Sequence, residues 1–194
     1  MMSRFRSREA AAWLVLFALV SAVSWADPLS VGQKVPNFTL LNQDGKKVSL
    51  SDYQGKVIMV TFLYTRCPFP EKCPMISEKL GQTRALMQKL NASDKFQVLS
   101  ITIDPKYDTP ERLKAYTQGN DKDFGNWDFL TGTPEQIANV AGLFGLVYWE
   151  ENGVIEHNMR TGIIDPKGYL AKVVRGSEWK AGELSAIIKD ILPK

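Results

Sequence analysis

The chain has few of the groups that carry most enzyme chemistry. Its 194 residues include one histidine and two cysteines. Two cysteines are too few for a disulfide scaffold. A single bridge across five residues closes a small loop and stabilises little. There is no internal repeat and no low-complexity tract. No Lys/Arg-rich run follows residue 26, which removes the usual footprint of a nucleic-acid binder. The C-x-x-C spacing of redox oxidoreductases is missing. So are the Pro and Thr or Ser that precede a peroxidatic cysteine by seven and three residues, because Val60 and Tyr64 stand there.

What is present is a globular composition, 44% hydrophobic and 23% charged, in a chain long enough for one domain of ordinary size with its own core. The first 26 residues read as a secretory signal peptide. Arg4, Arg6 and Arg8 form a positive n-region, Ala10 to Val23 an apolar core, and Ser24-Trp25-Ala26 a small-x-small cleavage site. The apolar core is shorter than the roughly 20 residues of a spanning helix. An uncleaved anchor is the alternative, and only then would the protein be held at a membrane. No cysteine follows the core, so no lipid anchor is expected there. Both readings place residues 27–194 outside the cytoplasmic membrane, in the periplasm. Without Arg4, Arg6, Arg8 and Glu9 the net charge falls from +3 to +1, so no nucleic-acid partner is expected.

The exported part reads as α/β. Phe38 to Leu50 predicts a β-hairpin around Asp44-Gly45. Val57 to Tyr64 is continuously apolar, as in a strand buried on both faces. Ile76, Leu80, Thr83, Met87 and Leu90 give one helical face from Pro74 to Asn91. Phe96 to Ile103 is a second β-rich run, so strand, helix and strand predict a parallel βαβ crossover. Helix starts follow at Thr109-Pro110 and Thr133-Pro134, with a short strand from Trp127 to Leu130 between them. Leu146–Trp149 and Val154–His157 predict a strand pair with a tip over Glu150–Gly153. Arg160–Ile164 and Tyr169–Val174 predict a hairpin, and Ser177–Leu192 a final helix. This order predicts a thioredoxin-like mixed sheet flanked by helices, with an N-terminal β-hairpin extension.

The chemistry concentrates in Tyr64-Thr65-Arg66-Cys67-Pro68-Phe69-Pro70-Glu71-Lys72-Cys73-Pro74. It lies between a buried strand and a helix N-terminus, where unpaired N–H groups favour a thiolate. With Pro74 at N1, Cys73 is expected at the N-cap, as the thiol that benefits more. Pro68 and Pro70 stiffen the loop. His157 is the only imidazole, at the mouth of a hairpin. Alone it reads as a solvated or hydrogen-bonded residue. With two thiolates it makes a soft donor set suited to Cu(I), and able to bind Cu(II) or Zn²⁺. Zinc would need a fourth ligand, and no further Cys or His exists. Met159 lies two residues on, either as core or as a thioether donor. Asp104 and Asp108 read either as turn and helix-start residues or as carboxylates that tune the thiols. Arg66 and Tyr64 flank the loop as residues that can shape the site, with core the favoured reading for Tyr64.

Three separated motifs resemble the SCO/SenC family: Phe62-Leu-Tyr-Thr-Arg-Cys67-Pro with Cys73-Pro74, Ser100-Ile-Thr-Ile-Asp104-Pro-Lys-Tyr-Asp108-Thr-Pro110, and His157 before Ile164-Asp-Pro-Lys-Gly168. The resemblance runs from about Val35 to the C-terminus. It implies a thioredoxin-like fold and copper bound by Cys67, Cys73 and His157. It also implies a role outside the cytoplasmic membrane in building the dinuclear copper site of cytochrome c oxidase subunit II. That role is copper delivery, reduction of the site's cysteines, or both. The family's usual spacing is C-x-x-x-C, and this chain carries C-x5-C with both Cys-Pro pairs kept. The longer loop is expected to shift affinity, redox potential or partner choice. The alternative from another class is a metal-independent thiol-disulfide oxidoreductase, in which Cys67 and Cys73 cycle with a thiol-disulfide partner and His157 is dispensable.

Overall fold

The structure, a computed structural model, describes residues 27–118 and 125–193. The signal peptide expected over residues 1–26 lies outside them. The described strands and helices are β1 (Thr39–Asn42), β2 (Lys47–Ser49), β3 (Val57–Leu63), α1 (Cys73–Lys89), β4 (Phe96–Thr102), α2 (Pro110–Gln118), β5 (Trp127–Thr131), α3 (Pro134–Leu143), β6 (Tyr148–Glu151), β7 (Val154–His157), β8 (Arg160–Ile164), β9 (Leu170–Arg175) and α4 (Ala181–Ile191).

Seven strands form one sheet in the order β2-β1-β5-β4-β3-β8-β9. The apolar run predicted to be central becomes β3, and all seven of its residues are buried. It pairs in parallel with β4 from Val57↔Phe96 to Leu63↔Thr102, with α1 as the crossover. β4 pairs in parallel with β5, whereas β8 runs antiparallel to β3 and β9 antiparallel to β8. Parallel centre, antiparallel edge and flanking helices make this a thioredoxin-like fold. The predicted N-terminal hairpin extends the sheet by joining β1 to β5, and Gly45 (φ +71°) supplies the left-handed turn residue.

Gly162 in β8 has a packing role. A Cβ there would lie 2.5 Å from the Phe144 ring, so the missing side chain admits that ring onto the sheet. Phe144 in turn packs on Phe62 of β3, with centroids 5.9 Å apart. This contact ties the end of α3 to the strand that leads to the cysteines.

Two expectations shift. The last helix begins at Ala181 rather than Ser177. Lys180 is extended, and its N–H donates to the Glu183 carboxylate, which fixes the start there. The β6–β7 pair keeps its own two-stranded sheet, and its tip is Asn152-Gly153 alone. Both tip residues have positive φ, 53° and 78°, as a tight hairpin turn requires.

Candidate metal centre

β3 delivers Tyr64 to the end of the sheet, and the chain then loops through Lys72 into α1. Lys72 is the N-cap, so Cys73 is the first helical residue and Pro74 the second. This corrects the expected placement of Cys73 at the N-cap. Cys73 is 2% exposed, Cys67 is half-buried, and neither is in a disulfide.

The two thiols are unequal in the opposite sense to the one expected. Cys67 has its pKa lowered to about 5, chiefly because the Cys73 thiol donates a hydrogen bond to it. Burial opposes this, while backbone groups of Cys73 and Phe69 and the Tyr64 hydroxyl support it. Cys73 is pushed up, first by donating to Cys67 and then by burial. A helix terminus favours the anion only where its N–H groups reach the sulfur. Cys73 is buried beneath that terminus, and the more accessible Cys67 is the thiol whose pKa is lowered.

The two aspartates hold the loop. Asp108 is fully buried and accepts hydrogen bonds from the Thr65 N–H, the Thr65 hydroxyl and the Thr102 hydroxyl. It thereby fixes the exit of β3 to the end of β4, two residues before Cys67. Asp104 accepts from Arg66 Nε at 2.6 Å, which orients the residue directly before Cys67. The Asp104-Pro105 turn expected from the sequence also forms, with Asp108 N–H donating to Asp104 C=O. Both aspartates therefore combine their structural and site-shaping roles.

His157 ends β7. Its Nδ1 lies 2.8 Å from the Asn158 carbonyl oxygen. A carbonyl only accepts, so Nδ1 carries the proton and Nε2 keeps its lone pair. That Nε2 is buried and has no hydrogen-bond partner. Burial also lowers the imidazole pKa, which keeps the ring neutral and able to bind a metal. The ring meets Tyr64 edge-on, with centroids 6.5 Å apart. Tyr64 thus has one side toward His157 and its hydroxyl toward Cys67.

The structure brings Cys67 and Cys73 together and sets His157 within electrostatic reach of Cys67. Among the described residues, no three His, Cys, Asp or Glu side chains converge at metal-binding distances. The donors are adjacent rather than closed. Met159 packs against the hydrophobic core.

Tyr64 combines its core position with a place at the site, since its ring meets His157 edge-on. Sequence reasoning missed two contributors. Tyr116 on α2 lies close enough to both thiols for their charge to raise its pKa, although burial is the larger cause. Lys72 Nζ bonds Glu156 Oε2 at 3.0 Å. No local pattern marks a pair 84 residues apart.

A thioredoxin-like fold with two thiols and an unpartnered imidazole nitrogen around one strand-to-helix loop defines a thiol-redox or soft-metal protein. The chain belongs to the SCO1/SenC family, whose model matches residues 27–193. It is 37% identical over 157 residues to the SCO1 protein homolog of Bacillus subtilis, covering 78% of each chain. The structure of Bradyrhizobium japonicum ScoI with copper bound is similar at a TM-score of 0.69 and 26% identity, over 84% of this chain and 100% of that one. BsSco, whose structure is described with a disulfide switch and as a member of the Sco family of cytochrome c oxidase assembly proteins, matches at a TM-score of 0.67 and 30% identity. That match covers 85% of this chain and 95% of BsSco.

Proposed function

We propose that this protein is an exported copper carrier in cytochrome c oxidase assembly, with Cys67, Cys73 and His157 as the copper ligands. The observation that carries this reading is the His157 Nε2 lone pair. It is buried and unpartnered, in an imidazole whose other nitrogen is committed to the Asn158 carbonyl. A buried polar atom without a partner costs stability unless a ligand satisfies it. The nearby sulfurs, one of them ionised, complete a donor set whose softness suits Cu(I). Membership of a family with a copper-bound structure supports the same ion.

Copper is the cargo. Loading ionises Cys73, releases its proton, and draws Nε2 to the sulfurs. Two thiolates and one imidazole leave one flank of a Cu(I) ion open to an incoming ligand. Delivery is then a ligand exchange with the acceptor, the dinuclear copper site of cytochrome c oxidase subunit II. The signal peptide read from the sequence over residues 1–26 supports a periplasmic setting for this exchange.

The unequal thiols favour a second activity at the same site. The Cys67 thiolate attacks one sulfur of a partner disulfide, giving a mixed disulfide and a partner thiolate. Cys73 then loses its proton and attacks Cys67 Sγ, which releases the second partner sulfur as a thiolate and closes Cys67–Cys73. In this way the protein also reduces the acceptor's cysteines before copper arrives.

Anaerobic titration of the reduced protein with Cu(I) and Cu(II) tests the ligand set. We expect one ion per chain and thiolate-to-Cu(II) charge-transfer absorption. Unchanged stoichiometry in Cys67→Ser or His157→Ala would overturn the assignment. His157→Ala also separates the two activities, because it abolishes stable copper binding and leaves disulfide exchange in place.

A further inference from the structure

Beside Cys67 the surface carries a paired-guanidinium platform that neither copper binding nor thiol exchange uses. Arg66 lies over the Tyr107 ring at 4.7 Å, and Arg112 lies over the same ring at 3.7 Å. Tyr107 is exposed, as are both arginines. Asp104 engages Arg66 through Nε, and the Tyr107 carbonyl accepts from one Arg112 amino group. Among the described residues, Arg112 has no carboxylate partner. The ring contacts both guanidiniums, and each keeps N–H donors beyond the one bond it makes. A rigid guanidinium fork matches a carboxylate in two parallel hydrogen bonds.

A second observation lies on the other side of Asp104. A cleft of about 190 Å³ is bordered by Ile103, Pro105, Trp149 and Ile155 and by the charged Asp104 and Lys106. Trp149 at its rim is 52% exposed. Glu150 also borders the cleft and acts on Arg66, so the acidic side of this surface is the β6–β7 hairpin and the basic side is the Tyr107 stack. A part-apolar slot next to two exposed guanidiniums is an asymmetric docking surface. Its basic side begins at Arg66, the residue directly before Cys67.

We propose that the Arg66–Tyr107–Arg112 stack receives an acidic segment of the partner protein and thereby delivers the partner's cysteines to Cys67. The partner's carboxylate lies on the guanidiniums, and an apolar side chain beside it enters the Trp149 cleft. This rests on the carrier and reductase reading for the existence of a sulfur-bearing partner. It goes beyond that reading in fixing the partner's charge and its side of approach.

The test uses the reduced, metal-free protein and two small disulfides. One is the dianion 5,5′-dithiobis(2-nitrobenzoate), which carries the carboxylate. The other is neutral 4,4′-dithiodipyridine. In each reaction the Cys67 thiolate displaces one thiolate from the probe, and Cys73 then loses its proton and attacks Cys67 Sγ, releasing the probe's second sulfur as a thiolate and closing Cys67–Cys73. The readout is the ratio of the two rates at constant pH. Arg112→Gln is expected to lower the ratio by about three- to tenfold, in the range of electrostatic steering. Arg112→Lys keeps the charge and restores part of it. Salt near 1 M, where the screening length is only about 3 Å, brings the wild-type ratio down to that of Arg112→Gln. An unchanged ratio in Arg112→Gln, or a wild-type ratio insensitive to salt, overturns the docking surface. Because no copper is present, that result leaves the copper titration to judge the ligand set separately.

Discussion

Lys72 Nζ bonds Glu156 Oε2 at 3.0 Å, and these residues directly precede Cys73 and His157. The ammonium also lies 4.2 Å from the centroid of the Phe69 ring, inside the lengthened cysteine loop. One ion pair therefore ties the thiol loop to the strand that carries the imidazole. Both side chains are about one-third exposed, so the pair itself is worth about 0.5–1 kcal/mol. Glu156→Gln is expected to cost stability in that range and to weaken copper binding by about two- to fivefold, since each 1.4 kcal/mol is tenfold in affinity. A double-mutant cycle with Lys72→Gln checks the coupling. Additive losses would show that the two residues act independently.

Alkylation separates the thiols. Iodoacetamide reacts with the thiolate, so the rate at Cys67 should climb as pH rises through about 5 and level off by neutrality. An unperturbed cysteine, with a pKa of about 8.5, would still be accelerating there. Cys73, buried and protonated, should stay unlabelled in the native protein. Tyr64→Phe removes one hydroxyl that supports the anion and moves the midpoint upward. Mass spectrometry of peptides labelled across a pH series measures all three.

Asp108 and Asp104 should differ sharply on substitution. Asp108→Asn leaves a single carbonyl oxygen to serve three donors in a fully buried position. Charged hydrogen bonds of this kind contribute about 1.5–3 kcal/mol each, so a loss of about 2–4 kcal/mol is expected. Asp104→Asn weakens a partly exposed pair with Arg66 and should cost less than about 1 kcal/mol. Urea denaturation of the two variants gives the comparison, and equal losses would contradict the buried-hub role of Asp108.

Gly162→Ala tests the packing that supports β3. Its new methyl group would sit 2.5 Å from the Phe144 ring, whose neighbours are Gly162 and Phe62. Overpacking of a filled core costs about 1–3 kcal/mol. A lowered Tm is expected, and an unchanged one would show that the ring moves aside freely.

The sequence by itself determined the sheet and the ligand candidates. Apolar runs buried on both faces, Pro and Thr at helix starts, and the Asp-Gly and Asn-Gly turns are local signals. They placed β3, β4, α1 to α3 and both hairpins with small boundary shifts. The scarcity of Cys and His left Cys67, Cys73 and His157 as the only thiol and imidazole donors. Tertiary structure decided everything that depends on distance in space. Which thiol is ionised follows from the hydrogen bond donated by Cys73, and from the burial of that residue under the helix end it begins. Nothing in the spacing of two cysteines contains that information. The tautomer of His157 follows from a carbonyl at 2.8 Å. The division of labour between Asp104 and Asp108 follows from where Arg66, Thr65 and Thr102 lie. The Lys72–Glu156 tie and the Arg66–Tyr107 contact join residues that are far apart in the chain. Such contacts form only once the sheet has set the loop, the α2 segment and the β6–β7 hairpin side by side.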